Sequence, residues 1–104
     1  MKILLLEDNK RLSKVIIEAL SQANYQVDPF YDGQKALEAI DNGYDCFILD
    51  INVPGVDGLS LLKEIRSLDK ETPAIIISAN IDLETIKKAY GRGCDEYLKK
   101  PFYS

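Results

Sequence analysis

Apolar residues fall along this chain in two alternating rhythms. Short unbroken runs, ILLL at 3–6, CFIL at 46–49 and AIII at 74–77, have the pattern of strands covered on both faces. Between them the spacing changes to steps of three and four. Leu12, Val15, Ile16, Ala19, Leu20 and Ala23 form the apolar stripe of an amphipathic helix. Leu61, Leu62, Ile65 and Leu68 mark a second such helix, and Leu83, Ile86 and Tyr90 a third. The stretch GQKALEAIDNG at 33–43 predicts a short helix closed by Gly43. YQVDPFY at 25–31 predicts a strand, and Pro29, which has no N–H to donate to a ladder, puts that strand at a sheet edge. Glu96–Leu98 predicts a short last strand.

Strands alternating with helices imply an α/β fold: one doubly wound parallel sheet, right-handed crossovers and helices on both faces. At 104 residues, with no repeat, linker or low-complexity segment, the chain suits a single domain. A composition of 46% hydrophobic and 29% charged residues sets it apart from disordered chains. Thirteen basic against seventeen acidic residues give a net charge of −4 with no long basic run, which argues against direct nucleic-acid binding by this domain. The opening apolar run is too short for a membrane span and ends in two acids, unlike a signal peptide, so a cytoplasmic location away from membranes is expected. Cys46 and Cys94 are far apart and form no CxxC pair; both are expected as unpaired packing residues. Histidine is absent, which excludes histidine metal sites and triads and assigns any phosphohistidine to a partner.

In an open parallel sheet the functional crevice lies at the carboxyl ends of the strands. Those ends carry Glu7 and Asp8 after the first strand, Asp50 after the third, Ser78 after the fourth and Lys100 after the fifth. Three carboxylates at one rim repel one another unless a cation lies among them, and hard oxygen ligands suit Mg²⁺. A carboxylate can also act as a nucleophile and form an aspartyl phosphate. Such a transfer needs charge stabilisation around the phosphoryl oxygens, which a metal, Lys100 and the Ser78 hydroxyl can supply. Asp50 can be the acceptor, because it is the lone acid on the middle strand and the acidic pair is left to hold the metal. In CFILDINVPGVDG the buried run holds Asp50 rigidly, and the Pro54–Gly58 loop turns the chain away to leave room for a phosphate.

Glu7-Asp8, LDINVPGVDG at 49–58, IIISAN at 75–80 and DEYLKKPF at 95–102, in this order, resemble the receiver domain of two-component response regulators from Lys2 through Phe102. The resemblance implies a flavodoxin-like five-stranded sheet of order 2-1-3-4-5. It implies a phosphoacceptor at Asp50 and a Mg²⁺ site made by Glu7, Asp8, Asp50 and the backbone carbonyl of Asn52. Lys100 matches the phosphate-binding lysine, Ser78 and Tyr97 the switch pair, and Lys100–Pro101 a bond that is typically cis. Asn52 and Asn80 flank the expected phosphate site. A sensor histidine kinase is the implied donor, with self-catalysed transfer and slow autodephosphorylation. GCDEYLKKPF further resembles receivers joined to winged-helix regulators of transcription.

The family usually carries a fifth helix after this stretch, whereas only Tyr103 and Ser104 follow Phe102. Residues 1–104 are therefore expected to be a receiver truncated before its last helix. Self-association is expected through the uncovered face or the region of the fourth helix and fifth strand. Two other functions share some of these residues. A phosphohydrolase of the haloacid-dehalogenase type would have its nucleophile first, its acid pair last and a second Asp where Asn52 stands. A receiver acting only as a protein-interaction module would have no need of the full set of side chains present here.

Overall fold

The apolar runs become parallel strands, and the three- and four-step stripes become the helices between them. The computed structural model describes residues 1–100. Along the chain these are β1 (Lys2–Leu6), α1 (Lys10–Gln22), β2 (Gln26–Phe30), α2 (Gly33–Leu37) and β3 (Cys46–Asp50). There follow α3 (Gly58–Leu68), β4 (Ala74–Ser78), α4 (Leu83–Gly91) and β5 (Glu96–Lys99). The sheet order is β2-β1-β3-β4-β5, with every neighbouring pair parallel. β2, carrying Pro29, is an edge strand as its missing donor requires.

Register is what lines up the polar ends. Leu6 pairs with Leu49, Asp50 with Ile77, and Ser78 with Lys99. Glu7, Asp50, Ser78 and Lys100 thus leave their strands at nearly one level.

Alternation along the strands sends side chains to two different faces. Leu4, Leu6, Phe47, Leu49 and Ile76 enter one core with Ala36, Leu59, Leu62, Ile65 and Ala89 of the helices. Burying each large side chain of that set stabilises the fold by roughly 1.5–3 kcal/mol. On the other face Ile48, Ile75, Ile77 and Leu98 meet Val15, Ile16, Ala19 and Leu20 of α1 across an apolar groove of about 240 Å³. Val15 and Leu98 remain 48% and 45% exposed there.

Local polar signals start the helices. The Asn9 side chain accepts from Leu12 N at 3.0 Å and begins α1. Asp57 accepts from both Ser60 N and Ser60 Oγ at 2.9 Å and begins α3.

The expected helix at 33–43 is shorter than its sequence pattern: α2 ends at Leu37. Beyond it the bonds tighten to i→i+3, with Ala39 N donating to Ala36 O at 2.9 Å and Asn42 N to Ala39 O at 3.1 Å. In such turns residues three apart eclipse, so Ala36 and Ala39 both face the core. Gly43, at φ +80°, then turns the chain toward β3 instead of closing a helix. β5 runs one residue further than expected, to Lys99, so Lys100 follows it directly. Cys46 and Cys94 are free and buried, and burial raises both thiols, Cys94 to about 11, as packing residues should show. Among the described residues no helix is long and apolar enough to cross a membrane.

Candidate functional site

At the carboxyl rim of the sheet Glu7 is fully buried, Asp50 is buried and Asp8 is exposed. Each offers a carboxylate oxygen, and the three oxygens lie within 4.8 Å of one another. Lys100 Nζ donates to Asp50 Oδ2 at 3.1 Å. It also forms an ion pair with Glu7 Oε1 at 2.5 Å. The other oxygen of Glu7 accepts from the backbone N–H of Asn9 at 2.9 Å. Asn9 therefore holds Glu7 and the first turn of α1 together.

Three carboxylates and one ammonium leave two negative charges in this cluster when all are ionised. Burial pushes the Glu7 carboxyl above its ordinary value; bonds from Lys100 and Asn9 pull it back, while the Asp50 charge adds to the rise. Burial opposes the charge on Lys100, but Glu7 and Asp50 outweigh it and raise the ammonium above its ordinary value. The donor set is all hard oxygen and carries excess negative charge. These features fit a small divalent cation such as Mg²⁺.

Ser78 and Tyr97 form a second group beside the first. Ser78 is fully buried, and its Oγ accepts from Asn80 N at 3.0 Å. Tyr97 packs half-buried against the main core, and its hydroxyl donates to the Asn80 carbonyl at 2.6 Å. The two groups are joined through the main chain, where Lys100 N donates to Ser78 O at 2.8 Å. Asn52 lies exposed in the loop two residues past Asp50. The Lys100–Pro101 bond lies outside the described residues.

The loop between β3 and α3 is pinned from two sides. Gly58 N donates to Ile51 O at 3.0 Å, and a Cβ on Gly58 would stand 2.1 Å from the Asp50 carbonyl oxygen. Gly33 N donates to Pro54 O at 2.9 Å, and a Cβ on Gly33 would stand 1.5 Å from Val56 O. Neither position has room for a side chain without moving backbone. Glu7, Asp8, Asp50, Ser78, Tyr97 and Lys100 are legible in the sequence as site residues, whereas Asn9 and Gly33 stand out as such only in the structure. An Asn just ahead of a helical stripe is a readable cap signal, whereas nothing local marks Gly33 as touching a loop more than twenty residues on.

Residues 3–104 match the family model described as the response regulator receiver domain. Response regulator ArlR of Staphylococcus saprophyticus is 40% identical over 102 residues, covering 97% of this chain and 46% of that protein. Transcriptional regulatory protein HprR of Escherichia coli is 39% identical over 103 residues, covering 98% of this chain and 46% of that protein. The chain thus spans about half the length of the curated relatives it matches. The solved receiver domain of Francisella response regulator 1452 superimposes with a TM-score of 0.90 at 35% identity, covering 98% of this chain and 85% of that one. The receiver domain of the Pseudomonas aeruginosa sensor histidine kinase PA1611, solved with a magnesium ion coordinated in its active-site cleft, gives 0.87 at 32% identity and covers 98% and 86%. Fold, rim chemistry and these likenesses agree, and the chain belongs to the receiver domain family of two-component response regulators.

Proposed function

We propose that this domain takes a phosphoryl group onto Asp50 from the phosphohistidine of a sensor kinase and changes conformation in response. The observation that carries the reading is the convergence of Asp50 with Glu7, Asp8 and Lys100 within one cluster. An Asp50 oxygen attacks phosphorus, the P–N bond breaks, and the partner's imidazole leaves with the bonding pair and takes up a proton. Glu7, Asp8, Asp50 and the Asn52 carbonyl are the groups that would hold Mg²⁺, which offsets negative charge on the phosphoryl oxygens. Lys100, free to exchange Glu7 for a phosphoryl oxygen, supplies the second positive charge.

The same event gives Ser78 a new acceptor. Its hydroxyl turns from the Asn80 backbone toward the phosphoryl group, and the Asn80 carbonyl that holds Tyr97 moves with the loop. Such a change shifts an existing balance between two arrangements of α4 and β5. The altered surface then serves self-association and an output in transcription, a role that accords with the regulatory names of the relatives.

Phosphoramidate and Mg²⁺ followed by intact mass measurement test the reading. The chain should gain one phosphoryl group that is labile to base, and Asp50→Asn should gain none. Uptake by that variant at the unmodified rate would show that Asp50 is not the acceptor.

A further inference from the structure

Basic residues that form no run in the sequence are gathered by the fold. Lys63 and Arg66 lie on α3, Lys70 just beyond it, and Arg92 at the end of α4. With Gly91 and Gly93 these four line an open groove of about 430 Å³, and among the described residues no carboxylate lines its walls. Arg66 is committed to the structure, donating from Nε to the Gly93 carbonyl at 2.9 Å and from Nη1 to the Asp69 carbonyl at 3.0 Å. Its Nη2 pairs with Asp95 at 3.1 Å. Among the described residues Lys63, Lys70 and Arg92 have no ion-pair partner within 4.0 Å. None of the groove's residues belongs to the Asp50 rim.

We infer that this groove is an interaction surface for an acidic protein segment, a peptide stretch bearing several Asp or Glu side chains. The whole chain carries a net charge of −4 in spite of this patch, so a local positive field stands out on an acidic background. That contrast favours a short acidic segment over a nucleic acid. Charges separated by more than about 8 Å are largely screened at physiological salt, so a short ligand feels the patch while a long polyanion also meets the acidic surroundings. Three free cations are also fewer than the roughly six to ten phosphate contacts that salt-sensitive binding to nucleic acid uses.

The test uses the whole, unphosphorylated chain with a fluorescent polyglutamate peptide at low and physiological salt. A triple variant, Lys63→Glu, Lys70→Glu and Arg92→Glu, leaves the structural Arg66 in place. It should bind the peptide at least about tenfold more weakly, since three attractions become repulsions. A control with the same change in net charge, at the exposed Lys14, Lys35 and Lys99, should bind within about twofold of the unmodified chain. Circular dichroism confirms that both variants are folded, and single Lys63→Gln and Lys70→Gln variants serve if the triple is not. Equal loss in the control, absence of saturable binding, or tighter binding of a duplex DNA of similar length would each overturn the proposal.

Discussion

Asn80 is the residue on which the proposed switch turns, since its N–H holds Ser78 and its carbonyl holds Tyr97. If Ser78 carries the signal, Ser78→Ala should still take up a phosphoryl group yet show a blunted change in amide chemical shifts with beryllofluoride. A full response at Tyr97 and α4 in that variant would remove Ser78 from the route. Tyr44 gives a prediction of a different kind. Its hydroxyl donates to Asp28 at 2.8 Å, and burial first, then Asp28, pushes it up from 10.0 to about 12. The neutral phenol is therefore favoured by the fold. Its contribution to stability is fully present below pH 10 and is lost as pH rises through about 12. Difference absorbance against Tyr44→Phe should place this phenolate near 12, and a midpoint at the ordinary 10.0 would be incompatible with the buried pair.

At the scale of elements, the approach of α3 to β3 depends on a missing side chain. A Cβ on Gly58 would meet the backbone of Asp50, which cannot rotate away as a side chain could. Gly58→Ala should destabilise the domain by about 1–3 kcal/mol, the range for overpacking, and displace Asp50 enough to slow phosphorylation. Gly91, in the last turn of α4, has open space around it. Gly91→Ala should instead stabilise by about 0.4–1 kcal/mol through lower entropy of the unfolded chain. Denaturant midpoints for the two variants should move in opposite directions, and a shift of the same sign would show that the close approach at Gly58 is not a packing constraint.

For the molecule as a whole, the two sheet faces differ in cover. One is filled by α2, α3 and α4, whereas Ile48, Ile75, Ile77 and Leu98 beside α1 leave a groove that, among the described residues, is lined by apolar side chains. Exposed apolar surface of this kind favours burial against another surface. The 104-residue chain is accordingly expected to self-associate as its concentration rises. Light scattering should give a mass above that of one chain, reduced by Leu98→Glu. A single-chain mass at every concentration would count against association through this face.

Much of this protein could be read from local order. Unbroken apolar runs mark the central strands, Pro29 marks an edge, and a parallel sheet necessarily brings all its carboxyl ends to one rim. Glu7, Asp8, Asp50, Ser78 and Lys100 could be assigned to that rim because each closely follows or ends a strand. Periodicity reports which way a residue faces, but not which distant residue it meets. Only the tertiary structure therefore decided that Lys100 engages Glu7 as well as Asp50, and that Tyr97 rests on Asn80. It alone decided that helix 33–43 gives way to tighter turns in which Ala36 and Ala39 are both buried. The basic groove belongs to the same class: Arg92 lies more than twenty residues from its partners in sequence, and chain folding, not charge patterning, brings them side by side.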